Sequence, residues 1–165
     1  ALAPLRDRLR EGAAADTGHG KLVTAIKSAG GAGATARADG ADAVHTHMTN
    51  SRLTDPEILE RRFPVRVEAF AVRRGSGGEG ARAGGDGALR RIRFLAPMEA
   101  ALLSSRREHA PQGLAGGGPG KAGRQRWIKA SGQANELPGC FSVTVELGDA
   151  IEIETPGGGG FGQAG

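Results

Sequence analysis

The sequence predicts a mostly β domain of the α+β type, with one or two short helices and long glycine-rich loops. From residue 63 onward apolar and polar residues alternate with a period of two, which is typical of half-buried strands. Glycine-rich turns separate the alternating stretches, and 29 of the 165 residues are glycine. A chain of this length is expected to form one domain around one hydrophobic core.

The first part of the chain carries little of this pattern. Leu2, Leu5 and Leu9 have helical spacing and predict at most a short amphipathic helix over residues 1–12. In the segment that follows, only the stretch "KLVTAI" suggests a strand or a helical turn, because Gly and Ala interrupt the rest. We expect a partly disordered N-terminal segment over 1–29 and the folded domain over 30–165. The stretch "AVHTHMTN" then alternates as an extended segment does. Thr54 and Glu57 form a capping-box pattern that predicts a short helix ending near Arg62.

Six strands are expected after this helix. They are predicted at 65–72, 88–95, 100–104, 126–130, 141–147 and 150–155. Gly148-Asp149 between the last two is a tight hairpin signal. The second half of the chain is therefore predicted to be an antiparallel β unit with one buried face.

Composition argues against several classes of protein. The net charge of +4 comes from 22 basic and 18 acidic residues, and the arginines are spread in pairs, so a nucleic-acid-binding stripe is not expected. The single cysteine excludes an internal disulfide and a multi-cysteine zinc site. No stretch approaches the roughly 18 apolar residues of a membrane span. We expect a cytoplasmic protein with neither nucleic acid nor membrane as a partner.

Three glycine-rich stretches, at 73–87, 114–125 and 155–162, raise the question of phosphate binding. Phosphate loops need a helix N-terminus directly behind them, whereas 73–87 connects two predicted strands. A connecting loop is therefore favoured there, with Asp86 as a turn former rather than a base. The second stretch lacks a Ser or Thr after Lys121. The third is expected to be an irregular tail, either packed against the domain or left unpacked.

His45 and His47 lie on the same side of the expected extended segment, a spacing that lets both imidazoles reach one divalent ion. The nearest carboxylates, Asp39 and Asp42, are not at a spacing that requires a third ligand. Two ligands alone do not define a metal site. A hydrogen-bonded structural pair is favoured over metal ligation, and spacing leaves both open.

An ordered string of motifs carries a family resemblance. The motifs are "GGAGA", "DGADAVHTHMTNSRLTDPEILERRFPVRVEAFAVRRGSGGEG", "GGDGALRRIRFL", "GLAGGGPGKAG", "ELPG" and "VELGDAIEIETPGGGGFG". In this order they resemble the C-terminal part of the hydantoinase B / 5-oxoprolinase family, over about residues 30–164. The stretch "TDPEILE" looks more like the 5-oxoprolinases than like the carboxylase relatives.

The resemblance implies an enzyme that opens the lactam of 5-oxo-L-proline to L-glutamate in glutathione metabolism. ATP hydrolysis would drive this opening through a phosphorylated intermediate. ATP and a divalent metal ion would bind mainly outside this chain, in a hydantoinase A-type part and in an upstream hydantoinase B region. The isolated chain is therefore expected to be inactive, and the full enzyme to be oligomeric. Related hydantoinases and ketone carboxylases remain an alternative.

By the same resemblance, the candidate catalytic residues are His45, His47, Asn50 and Arg52, facing the substrate cavity. The imidazoles would donate to a lactam carbonyl or to the phosphorylated intermediate, and Arg52 would offset phosphate charge. The alternative from another class is a non-catalytic interaction or assembly domain, whose strand edges and glycine-rich loops dock a partner.

Overall fold

The computed structural model describes residues 21–22, 29–45 and 54–165, which form two β-sheets and one short helix. In chain order the elements are β1 (Lys21–Leu22), α1 (Pro56–Arg62), β2 (Val65–Arg73), β3 (Gly87–Phe94), β4 (Met98–Leu103), β5 (Arg124–Ile128), β6 (Ala134–Leu137), β7 (Cys140–Val145) and β8 (Ala150–Glu154). One sheet has the strand order β2-β3-β8-β5-β6 and the other has the order β1-β4-β7. All pairs are antiparallel except β1 with β4, which confirms the predicted fold class.

The hydrophobic core draws on both sheets and on the helix. Alternate residues of β3 and β8 point to one face, which we call the inner face of the five-stranded sheet, and Ile92 and Ile151 are buried there. Met98 of β4 and Phe141 of β7 come from the three-stranded sheet, and Leu59 comes from α1. The complete buried cluster is Leu59, Val65, Ile92, Phe94, Met98, Ala100, Leu102, Phe141, Val145, Ile151 and Ile153.

Helix α1 begins one residue later than the predicted capping box implies. The N-cap is Asp55 rather than Thr54, and its carboxylate accepts a hydrogen bond from the backbone N–H of Glu57 at 2.9 Å. Pro56 occupies the first turn, and the helix ends at Arg62 as expected. The capping-box assignment is wrong because Thr and Asp are both good N-caps, so the pattern does not discriminate between adjacent positions.

The predicted hairpin at Gly148-Asp149 is also wrong, since β7 and β8 lie in different sheets. A turn does form there, with Gly148 at a φ of +88°, a conformation that glycine adopts without steric cost. The Asp149 carboxylate accepts hydrogen bonds from the indole N–H of Trp127 at 2.8 Å and from the backbone N–H groups of Ala130 at 2.9 Å and Glu146 at 3.2 Å. These bonds tie the turn to the end of β5, so the chain passes from one sheet to the other.

The sequence prediction omits one strand, and its statement about the N-terminal segment concerns residues that are mostly not described. Strand β6 is missing from the prediction because its sequence, "ANEL", has too few apolar residues to show alternation. The expected disorder of residues 1–29 lies almost entirely outside the described residues. Among the described helices, none is long and apolar enough to cross a membrane.

The chain beyond β8 enters a bundle of extended, glycine-rich segments. We call this the glycine bundle, and it consists of residues 30–34, 76–80, 83–85, 112–121 and 156–161. Its centre is residues 157–160, all buried. Gly158 N–H donates to the carbonyl of Gly85 at 2.8 Å, and Gly160 N–H donates to the carbonyl of Gly118 at 2.9 Å. The predicted irregular tail is therefore packed inside the domain.

Only glycine fits at this centre. A Cβ atom at position 157, 158, 159 or 160 would overlap the backbone carbonyl of Ser76, Ala32, Gln112 or Glu79, respectively. Each of the four contacts belongs to a different part of the chain. The four glycines therefore serve close backbone packing from several directions, which any side chain would prevent.

The outer face of the five-stranded sheet carries rows of arginine and glutamate. Glu152 of β8 lies directly between Arg91 of β3 and Arg126 of β5 in the strand register. Arg91 Nε donates to Glu152 Oε2 at 2.8 Å, and Arg126 donates to Oε1. Only 2% of the Glu152 side chain is exposed. Burial raises the pKa of Glu152, but the hydrogen bonds from Arg91 and Arg126 lower it by a larger amount. The pKa of Glu152 therefore lies below the ordinary value.

Replacing Glu152 with Gln is expected to lower the free energy of unfolding by about 2 kcal/mol at pH 7. Because the folded-state pKa lies below the unfolded value of about 4.3, the carboxylate stabilises the fold above that pH. This contribution is lost as the pH falls through the folded-state pKa. Urea unfolding at pH 7 and at about pH 3 should therefore show a smaller acid-induced loss in the variant than in the wild type.

The matched control is Glu136→Gln, at an exposed residue that also faces Arg126 in the register. An exposed carboxylate opposite an arginine contributes about 0–1 kcal/mol, because solvent screens the two charges. Equal losses in the two variants would contradict the assigned role of burial between two arginines.

Candidate functional site

His45 is the one candidate catalytic residue that lies within the described part of the chain. Val44 before it forms a two-way bridge with Gly30, with N–H···O distances of 2.8 and 3.1 Å. The imidazole is half-buried, and its Nδ1 atom is buried without a hydrogen-bond partner among the described residues. His47, Asn50 and Arg52 lie outside those residues. The structure therefore leaves untested the expectation that the four side chains share one cavity.

A strained turn sets the direction of the chain into His45. Ala43 has a φ of 46°, in the left-handed region that non-glycine residues rarely adopt, at a cost of about 1–2 kcal/mol. Its N–H donates to the carbonyl of Asp86 at 2.8 Å, which holds the turn against the start of β3. Strain of this kind persists only where surrounding contacts fix the backbone, and it is concentrated at functional sites.

Two aspartates fasten the segment before His45 to a distant loop. Asp39 Oδ1 accepts a hydrogen bond from the Ala83 N–H at 3.0 Å, and Asp42 Oδ1 accepts one from the Asp86 N–H at 2.7 Å. Both carboxylates, weighed above as metal ligands, thus position backbone. Among the described residues no group of three His, Cys, Asp or Glu side chains is placed to hold a metal ion.

The Asp86 carboxylate occupies the backbone amides of the first glycine loop. Its oxygens accept hydrogen bonds from the N–H groups of Gly75 at 3.0 Å, Ser76 at 2.7 Å and Gly77 at 2.8 Å. Burial raises the pKa of Asp86, but these backbone hydrogen bonds lower it by more, so its pKa lies below the ordinary value. The three amides do form an anion-binding nest, and because the protein's own carboxylate fills it, they are not available to a phosphate.

Sequence reasoning missed two arginines that the fold places close to its interior. Arg107 Nε donates to Gln125 Oε1 at 2.5 Å, and burial, together with the nearby charge of Arg73, lowers the pKa of Arg107 to about 10. Arg90 is buried on the inner face of β3. The sequence "ALRRIRFL" already contained the signal for Arg90. Arg90 lies two residues before the apolar Ile92, so the two side chains point to the same face of the strand. An arginine at an apolar position of an alternating strand indicates a buried charge.

Comparison with known sequences gives one consistent result. The family model described as hydantoinase B/oxoprolinase matches residues 9–164. The chain is 47% identical over 135 residues to the 5-oxoprolinase of Dictyostelium discoideum, which covers 82% of this chain and 11% of that protein. It is also 47% identical over 134 residues to 5-oxoprolinase 1 of Arabidopsis thaliana, covering 81% of this chain and 11% of that protein. The chain thus spans about a tenth of the length of these curated relatives.

Two solved structures share the fold. The ATP-dependent caprolactamase from Pseudomonas jessenii superposes with a TM-score of 0.70 at 22% identity, covering 88% of this chain and 28% of that one. A nucleotide-free acetone carboxylase structure gives a TM-score of 0.65 at 22% identity, covering 81% of this chain and 22% of that one. In both comparisons most of the other protein lies beyond the matched region.

Proposed function

This chain belongs to the hydantoinase B/oxoprolinase family, and on this premise we propose that it is the C-terminal part of an ATP-dependent lactam hydrolase of the 5-oxoprolinase type. The observation that carries the proposal is the 47% identity to two 5-oxoprolinases over about four-fifths of the chain. The fold shared with a caprolactamase supports it, since caprolactam is also a cyclic amide.

In the proposed reaction the full protein opens 5-oxo-L-proline to L-glutamate at the expense of ATP hydrolysis, in cytoplasmic glutathione metabolism. A hydantoinase A-type part and an upstream hydantoinase B region would bind ATP and a divalent metal ion, mainly outside this chain. This assignment agrees with the occupied amides at 75–77, which leave no phosphate cradle in that loop. The active form is proposed to be oligomeric.

His45 is proposed to act at the substrate cavity together with His47, Asn50 and Arg52. Opening a lactam breaks the amide C–N bond and adds water across it, so a donor that polarises the carbonyl oxygen lowers the barrier. An imidazole N–H can supply that donor, and Arg52 would balance phosphate charge. Support comes from the strained turn at Ala43 and from the Nδ1 atom of His45, which has no partner among the described residues.

The test places this chain in a complete enzyme. A chimaera of the Dictyostelium 5-oxoprolinase, with this chain in place of its matching region, should form glutamate from 5-oxo-L-proline only when ATP is present. His45→Ala in the chimaera is expected to lower kcat/KM about 100-fold, the usual contribution of a positioned acid–base group. The matched control is His109→Ala, at an exposed histidine outside the predicted catalytic set, which should leave kcat/KM unchanged.

The same chimaera separates the competing functions. Full turnover in a His45→Ala, His47→Ala double variant would favour the non-catalytic assembly domain. Faster turnover with hydantoin or caprolactam, or carboxylation of acetone, would move the chain to another branch of the family. The isolated chain is expected to be inactive, and turnover by it alone at about 1 per second or more would refute that part of the proposal.

A further inference from the structure

Arg90 is a buried charge without a counter-charge in the described part of the chain. Only 4% of the residue is exposed, and Nε and Nη2 are buried without a hydrogen-bond partner there. None of the ion pairs among the described residues includes it. Its nearest recorded interaction is with the ring of Phe70, whose centroid lies 5.8 Å from the guanidinium carbon.

A buried guanidinium group is stabilised by pairing with an anion. Burial lowers the pKa of Arg90, yet arginine remains protonated at neutral pH, so the group cannot escape its desolvation by losing a proton. Buried charges in folded proteins are paired, because an unpaired one forfeits its hydration without compensation. None of the described residues supplies such a partner.

The surroundings of Arg90 resemble an interface. Phe70 and Val72 of β2 lie opposite Arg90 and Ala88 of β3 on the inner face of the five-stranded sheet, and we call these four residues the Arg90 corner. Strand β2 is an edge of that sheet. Phe70 is 52% exposed although it lies on the inner face, so the three-stranded sheet does not cover it. Aromatic residues and arginine are both enriched at protein interfaces, and arginine is one of the residues that contribute most to binding there.

We propose that the Arg90 corner docks an acidic segment from the remainder of the full-length protein. An aspartate or glutamate of that segment would accept hydrogen bonds from Nε and Nη2 of Arg90, and apolar neighbours of that carboxylate would pack on Phe70. The occupant is argued from length, because this chain spans 11% of its curated relatives and most of the polypeptide lies beyond it. Because Phe70 is 52% exposed, an incoming segment can contact its ring directly.

The first test asks whether Arg90→Met stabilises the isolated chain but weakens docking in the full-length chimaera. In the isolated chain, Arg90→Met removes an uncompensated charge and is expected to raise the Tm by about 2–4 °C. In the full-length chimaera the same variant should weaken docking and speed amide exchange at residues 68–73 by about tenfold. The control, Arg66→Met, removes an exposed arginine from the outer face of the neighbouring strand β2 and should do neither. A lower Tm of the isolated Arg90→Met chain would overturn the proposal.

A second measurement does not require the isolated chain to fold. A photo-reactive benzoylphenylalanine at position 70 of the chimaera should cross-link to an Asp- or Glu-containing peptide outside the region supplied by this chain. Cross-links confined to this region would overturn the proposal. So would a rise in the Tm of the wild-type isolated chain with acetate or 5-oxo-L-proline that is absent from Arg90→Met, since that outcome identifies a small-anion site. Neither measurement uses turnover, so docking and the proposed function can fail independently.

Discussion

Substituting Gly158 with alanine is expected to lower the free energy of unfolding of this chain by about 3 kcal/mol or more. The new Cβ atom would overlap the carbonyl oxygen of Ala32 in the centre of the glycine bundle. That neighbour is backbone held by its own hydrogen bonds, so it cannot rotate away as a side chain can. Urea unfolding, with the midpoint and the slope fitted separately, measures the loss.

Gly33→Ala is the matched control because it changes a glycine in the same bundle. The nearest heavy atom to a Cβ at this position is the carbonyl oxygen of Gly159, at an ordinary contact distance of 3.8 Å. Alanine there should leave stability unchanged or raise it by about 0.5 kcal/mol, since the unfolded chain loses conformational freedom. If Gly33→Ala were as damaging as Gly158→Ala, backbone crowding would not be the reason for glycine at position 158.

Replacing Asp149 with alanine is expected to cost about 3 kcal/mol. Asp149 is 1% exposed, and its carboxylate accepts hydrogen bonds from three donors, namely the indole of Trp127 and the N–H groups of Ala130 and Glu146. Alanine leaves all three without their acceptor, and hydrogen bonds to a charged group contribute about 1.5–3 kcal/mol each before relaxation and access of water. Trp127 is the only tryptophan, so its fluorescence reports unfolding from this site.

Asp149→Asn separates the geometry of this turn from its charge. The amide oxygen can still accept from two of the donors, so about half of the loss should be recovered. A loss below about 1 kcal/mol in Asp149→Ala would show that the turn is held by its neighbours and not by this carboxylate. Equal losses in the two variants would instead assign the whole effect to the negative charge.

Local alternation was sufficient to find strands but not to pair them. The stretch "ALRRIRFL" locates β3 within one residue, because its apolar positions share one parity and meet the core. The position of β8 between β3 and β5 depends on contacts with residues about 30 to 60 positions away, which no local pattern contains. The wrong hairpin at Gly148-Asp149 follows from assuming that consecutive strands pair.

The glycine-rich stretches were beyond local prediction for a different reason. Glycine has no side chain, so a stretch such as 157–160 shows no periodicity that distinguishes a loop from a buried segment. The same holds for the loop around Asp86. Its attachment to Asp42, and that of Ala83 to Asp39, each join residues 44 positions apart.

The candidate site came from family resemblance rather than from spacing. His45 is the one member of the predicted set that the described residues include, and its segment is fixed by Asp39 and Asp42. Spacing alone had presented those aspartates as nearby carboxylates without a function. Arg90 could have been found from its parity in β3, had a charge at an apolar position been taken as a signal.

The position of the glycine bundle also determines when this region can fold during synthesis. Its central segment, 157–160, lies near the end of the sequence, while the segments around it are spread from residue 30 onward. Just before that segment, Thr155 Oγ1 donates to the carbonyl of Ala29 across 126 residues. Until residues 157–160 have left the ribosome, the earlier glycine segments lack the central segment to which they hydrogen-bond. The bundle therefore forms after translation of the region, and closing such long loops makes its assembly a slow step.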